Sequence, residues 1–143
     1  MKTVLEMTDI TKSFPGVVAN DHVHFDLRAG EVHALLGENG AGKSTLMNIL
    51  FGIYRQDAGR ILLSGKPAEI RSPNHAYELG LGMVHQHFKL VGDFTVTENV
   101  ILGIEDVRNL VVQTADARRR ILELSQEYSL DVDPDARIRD ISV

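Results

Sequence analysis

The stretch Glu31-Val32-His33-Ala34-Leu35-Leu36-Gly37-Glu38-Asn39-Gly40-Ala41-Gly42-Lys43-Ser44-Thr45 decides how the rest of the chain is read. Its first six residues form a mostly apolar run of strand length that stops at Gly37. Gly37 to Ser44 then fits the spacing G-x-x-x-x-G-K-[ST]. Leu46, Ile49, Leu50 and Ile53 follow at i, i+3, i+4 and i+7, which predicts a helix from near Lys43 to Gly52 whose apolar stripe faces a sheet. Strand, glycine-rich turn and helix in that order predict a phosphate-binding loop.

Each residue type has a physical reason. Glycines let the backbone wrap closely, so that Gly37, Asn39, Gly40, Ala41 and Gly42 would turn N–H groups toward an anion. The helix N-terminus adds about half a positive charge at the same place. Lys43 would reach the outer phosphates, Ser44 would offer a hydroxyl to Mg²⁺, and Thr45 would add one on the inner phosphate side. A bland alternative is a glycine-rich turn carrying an exposed lysine.

Working back toward the N-terminus, residues 3 to 36 read as strands. Val23, Phe25 and Leu27 alternate with His22, His24 and Asp26, as in a half-buried strand, and Ala29-Gly30 turns the chain. Phe14 stands in the polar turn Thr11-Lys12-Ser13-Phe14-Pro15-Gly16, where it could stack on a purine or simply fill a core.

Toward the C-terminus, Gly59 to Leu63 reads as a strand, and Ser72-Pro73 as a capped helix start closed by Gly80. Met83-Val84-His85 reads as a brief strand before a loop from Gln86 to Phe94. Thr95-Val96-Thr97-Glu98 has capping-box spacing and predicts a short helix through Leu102. Thr114 to Tyr128 reads as an amphipathic helix with Ile121, Leu122, Ser125 and Tyr128 on one face. The alternation of strands with helices implies an α/β layer architecture.

Composition sets the frame. The chain has 143 residues, 43% hydrophobic, 24% charged, with a net charge of −5 and no cysteine. One modest core is expected at that length, and long disordered stretches are not. A net negative charge disfavours general nucleic-acid binding. The missing cysteines exclude disulfides and thiolate metal sites. Glu6 and Asp9 interrupt what a signal peptide would need, and no apolar run approaches a membrane span. A cytoplasmic chain able to sit against a membrane protein is therefore expected. It stops at Ile141-Ser142-Val143 without a terminating signal, so a fragment is expected, with an apolar sheet edge left uncovered.

Phe14-Pro15-Gly16-Val17, Gly37 to Thr45 and Met83-Val84-His85-Gln86-His87-Phe88 occur in an ordered set. With them the chain resembles the N-terminal part of an ATP-binding-cassette (ABC) transporter ATPase, and more narrowly the sugar and nucleoside importer branch. The resemblance runs to about residue 104 and is looser from there to Arg139. It implies a P-loop nucleotide-binding domain with an antiparallel β subdomain, part of a parallel core sheet, and the start of a helical subdomain. The corresponding division is 1–104 and 105–143.

By the same resemblance Phe14 is the adenine-stacking aromatic. Gln86 is the glutamine that senses Mg²⁺ or the attacking water and couples the site to the membrane subunit, acting with Lys43 in catalysis. Ser142 would open the signature sequence that meets a partner cassette. The implied ligands are ATP and Mg²⁺. The implied partners are a transmembrane permease, a second cassette arranged head to tail, and indirectly a periplasmic or lipid-anchored solute-binding protein. The implied place is the inner face of the cell membrane, and His85-Gln86-His87-Phe88 leans toward nucleosides over simple sugars.

Competing readings stay open. Val100-Ile101-Leu102-Gly103-Ile104-Glu105-Asp106 could be an apolar strand ending in acidic residues, with Asp106 holding Mg²⁺, which would make a small complete NTPase of another P-loop class. The chain could also bind nucleotide without turnover, since it supplies no evident general base. His22/His24 and His85/His87 have a spacing that suits zinc or, more blandly, exposed strand histidines. Arg118-Arg119-Arg120 reads as a solvated helix face or a contact for an acidic partner.

Overall fold

The computed structural model describes residues 2–85, 90–102 and 114–141. It contains two compact units, Met1–Val84 and His85–Val143. The expected division at 104/105 falls outside the described residues.

The first unit is built on strands β1 (Thr3–Phe14) and β2 (Val17–Arg28), followed by helix α1 (Lys43–Leu50). Strands β3 (Ala58–Leu63) and β4 (Lys66–Pro67) and helix α2 (Pro73–Glu78) complete it. The strands form one antiparallel sheet in the order β2-β1-β3-β4. Lys2 O accepts from Ala29 N at 2.9 Å, which closes the open end of the β1–β2 hairpin.

Strand residues alternate faces with a period of two, so Leu5 and Met7 on β1 point into the core. Ile10 has the opposite parity and is also fully buried. The reason is a bulge: Asp9 adopts φ 54° and the β1–β2 register shifts between Met7 and Ile10, which advances the phase by one residue. Gly59 on β3 lies against that bulge at φ 95°, and a Cβ there would come within 2.5 Å of the Asp9 carbonyl oxygen. On β2 a second irregularity at His22, φ 47°, lets even-numbered Asn20 face inward along with Val23, Phe25 and Leu27. Leu46 and Ile49 of α1, with Phe51, Ile61, Ile70 and Ala76, close the core. Burying a side chain of the size of Ile10 or Ile49 contributes about 1.5–3 kcal/mol.

The expected apolar stripe of α1 is shorter than its spacing suggests. The helix ends at Leu50, and the chain turns at Gly52 with φ 74°, so Ile53 lies beyond it and is exposed. Ser72 caps α2 by accepting from His75 N at 3.2 Å, and Gly80 follows its end at φ 83°.

Two expected strands are absent. Among the described residues neither 31–36 nor 83–84 forms a strand, and Val32, Leu36 and Val84 are 99%, 88% and 91% exposed. A parallel strand exists only beside a neighbour, and no described segment pairs with either run. The sheet is antiparallel throughout its described part.

The second unit holds helices α3 (Val96–Ile101) and α4 (Thr114–Glu127) and a 3₁₀ turn at Ile138–Asp140. Thr95 and Glu98 form the full capping box expected of their spacing. Thr97 is buried and ties α3 to the later chain, its hydroxyl and its N–H both donating to Pro134 O at 2.8 and 3.0 Å. Ile121, Leu122 and Ser125 on α4 are half-buried, whereas Tyr128 falls past the helix end, beside Ser129 at φ 54°, and is exposed.

Candidate functional site

Gly37 to Gly42 form an exposed turn leading into α1. Lys43 folds back on it, its Nζ donating to Gly37 O at 2.6 Å and Glu38 O at 2.7 Å, while Ala41 N donates to Glu38 O at 3.2 Å. Gly42 is the N-cap residue, at φ 81°, and provides no side-chain cap. By contrast α2 and α3 are capped by Ser72 and Thr95. The first N–H groups of α1 thus face the turn without a side-chain acceptor among the described residues, and no acidic residue lies in the helix's first turn.

The turn is buttressed from β2. Gly42 O accepts from Leu46 N at 2.9 Å and from Asn20 Nδ2 at 3.3 Å. A Cβ at Gly42 would lie 2.1 Å from Ala19 O, so only glycine fits here. Asn20 is 5% exposed, and its Oδ1 has no hydrogen-bond partner among the described residues. Ser44 has an exposed side chain and Thr45 a half-buried one, both on the first turn of α1; Asn39, Gly40 and Ala41 are exposed.

Phe14 ends β1 beside the Pro15-Gly16 turn and is half-buried. Tyr54 meets it edge-on at 5.3 Å between ring centroids, and Lys12 Nζ lies 5.5 Å from its centroid. Lys12 in turn pairs with Asp57 at 2.7 Å, and the other Asp57 oxygen accepts from Ser13 N at 2.7 Å. The hydrogen bond from Lys12, followed by the one from Ser13, holds the Asp57 carboxyl below its ordinary range. Phe14 pairs with Val17, and three strand steps, about 10 Å, separate Val17 from Asn20 beneath Gly42.

Gln86, His87, Phe88, Glu105, Asp106 and Ser142 lie outside the described residues. The alternative strand at Val100–Asp106 is contradicted at its start, since Val100 and Ile101 are helical and the capping box fixes that helix. His22 and His24 are exposed and sit on carboxylates, at 2.7 Å from Asp21 and 3.1 Å from Asp9. Among the described residues no three His, Asp or Glu side chains gather as a metal site would require. Arg118, Arg119 and Arg120 pair with Asp135, Asp116 and Glu123, consistent with a solvated face.

Residues 20–143 match the ABC transporter family. The chain belongs to that family. It is 56% identical over 142 residues to the nucleoside import ATP-binding protein NupA of Lactococcus lactis subsp. cremoris, covering 99% of this chain and 28% of that relative. It is 51% identical over 143 residues to the guanosine import ATP-binding protein NupO of Bacillus subtilis, covering all of this chain and 28% of that one. A ribose import ATP-binding protein, RbsA 1 of Rubrobacter xylanophilus, is 52% identical over 143 residues, with 29% of its length covered. The chain thus spans less than a third of these relatives. A crystal structure of the ADP conformation of an ATP-binding cassette of an ABC transporter matches with a TM-score of 0.83 at 23% identity. That match covers 99% of this chain and 60% of the other, and it carries the fold of a cassette.

Asn20, Lys12 and Asp57 were not legible as site residues from the sequence. The one available signal was Asn20-Asp21 in mid-strand, where both types are disfavoured without a special partner.

Proposed function

We propose that this chain is the phosphate- and base-binding part of an importer ATPase. The observation that carries this reading is the uncapped start of α1 closed by Lys43 over the Gly37 and Glu38 carbonyls. A nucleotide's β-phosphate would draw Lys43 off those carbonyls and accept from the free N–H groups of α1. The separation of about 10 Å between the Phe14 turn and Asn20 supports Phe14 as the platform for the base.

For Mg²⁺ the donor chemistry fits: Ser44, an exposed residue on the first turn of α1, carries a hydroxyl oxygen, and hard cations take oxygen ligands. When bound, Mg²⁺ neutralises charge on the outer phosphates. Ser44 would hold it, Lys43 would bind the phosphates, and Thr45 would add a hydroxyl on the inner phosphate side. Asn39, Gly40 and Ala41 would present backbone to the chain of phosphates.

In this reading the protein lies at the inner membrane face and pairs head to tail with a second cassette. It serves a permease supplied by a solute-binding protein. The names of the relatives favour a nucleoside or a sugar as cargo. The test is calorimetric titration of Mg-ATP into the wild type and a Lys43→Ala variant, with phosphate release followed on the same samples. Binding lost with Lys43 supports the site, and equal binding by both overturns it. Phosphate release by the 143-residue chain alone separates an ATPase from a module that binds without turnover.

A further inference from the structure

We propose that Lys12 and Asp57 are positioning residues that set the pose of Phe14, and thereby how strongly the site prefers a purine nucleotide to a base-free polyphosphate. The inference rests on the base-platform reading of Phe14 and assigns the residues that make the platform rigid.

Phe14 sits where an aromatic ring would ordinarily be loose, at a strand end before a Pro-Gly turn, with Gly16 at φ 83°. Three contacts restrain it. The ring meets Tyr54 at 5.3 Å with an interplanar angle of 74°, a favoured edge-to-face arrangement. The Lys12 ammonium is 5.5 Å from the ring centroid, within the range of a cation–π contact. The Asp57 carboxylate fixes that ammonium at 2.7 Å and, through its second oxygen, the backbone N–H of Ser13 next to Phe14. Asp57 is itself anchored, its N–H donating to Thr11 O at 2.8 Å.

The carboxylate therefore grips the end of β1 at the side chain of Lys12 and at the N–H of the peptide that follows it. Tyr54 belongs to the same support, its N–H donating to Asn48 O at 3.2 Å near the end of α1. Lys12 is well covered, with 17% of its side chain exposed, so its stem also packs while its charge is held. None of these side chains belongs to the phosphate-binding turn. Their loss should act on the base and leave the phosphates alone.

The experiment compares dissociation constants for ATP and inorganic tripolyphosphate in the full-length protein and its variants. Stacking on an aromatic ring implies that Phe14→Ala weakens ATP by roughly tenfold. Lys12→Met and Asp57→Asn should each weaken ATP about three- to tenfold, leave tripolyphosphate unchanged, and combine less than additively. Lys12→Arg, which keeps the charge and the pair, should stay near wild type.

If Phe14→Ala lowers the ATP preference but Lys12→Met and Asp57→Asn do not, the positioning role is overturned while the platform stands. If Phe14→Ala leaves the preference unchanged, the platform reading fails and this inference with it. Equal weakening of ATP and tripolyphosphate in the Lys12 and Asp57 variants would mean a general loss of fold and would also overturn it.

Discussion

Replacing Gly42 by alanine, with Gly40→Ala beside it, separates backbone strain from steric conflict at the same turn. Both glycines have positive φ, 81° and 86°, so an alanine at either is disfavoured by about 1–2 kcal/mol. At Gly40 a Cβ meets nothing within 4 Å, and strain is the whole effect. At Gly42 it would sit 2.1 Å from Ala19 O and 2.8 Å from Asn20 Nδ2. The carbonyl is backbone of β2 and cannot swing away, so the start of α1 must move. The bonds from Leu46 N and Asn20 Nδ2 to Gly42 O are then stretched or lost, each with a net value of about 0.5–1.5 kcal/mol. Gly42→Ala should therefore destabilise by about 3 kcal/mol, some 2 kcal/mol more than Gly40→Ala. Urea titration reads the difference, provided the slope m is common to both variants. Equal destabilisation, within about 0.5 kcal/mol, would refute the buttressing of the turn by β2.

Thr95→Ala should cost about 1 kcal/mol and speed amide exchange in α3 several-fold, because the Thr95–Glu98 box is lost; unchanged exchange would count against the cap. The Asp135 carboxyl, held below its usual range first by the Arg118 hydrogen bond and then by its charge, should return to the usual range in Arg118→Ala, as read by NMR titration. A carboxylate with a lowered folded-state pKa stabilises above its unfolded pKa of about 3.9 and loses that contribution as pH falls through the folded value. Asp135→Asn should accordingly flatten the acid limb of stability. Val32→Lys and Leu36→Lys, at residues 99% and 88% exposed, should reduce self-association of the 143-residue chain in light scattering. A monodisperse wild-type chain would show that this apolar run has no such effect.

What could be read in the sequence was what is decided within a few residues. Ser72-Pro73 and Thr95 to Glu98 announce helix starts because a cap needs only its own turn, and both caps are present. Val23, Phe25 and Leu27 alternate as written because one face of β2 is half-buried. The glycine-rich turn before α1 was legible as a motif, and the contact of Lys43 with its carbonyls involves the same few residues. What depends on distant partners was not. Glu31 to Leu36 has the composition of a strand, but strand pairing belongs to two segments, and its composition does not say whether a second is there. The bulges at Asp9 and His22 have no local signature, so the phase change that buries Ile10 and Asn20 was invisible. The grip of Asp57 on Lys12 and Ser13 joins positions 44 and 45 residues apart.

The irregular pairing of β1 with β2 also bears on how the molecule meets copies of itself. Among the described residues β2 is an edge strand of 12 residues, long enough to template the addition of a foreign strand along its outer side. A template needs an unbroken register, and this one is interrupted where His22 turns to φ 47°. Asp21, His22, His24 and Asp26 are exposed along its central part, so an approaching strand meets charged or polar side chains as well as a kinked backbone. The irregularity at His22 that turns Asn20 inward thus also deprives the open side of the described sheet of a straight ruler against which another chain could align.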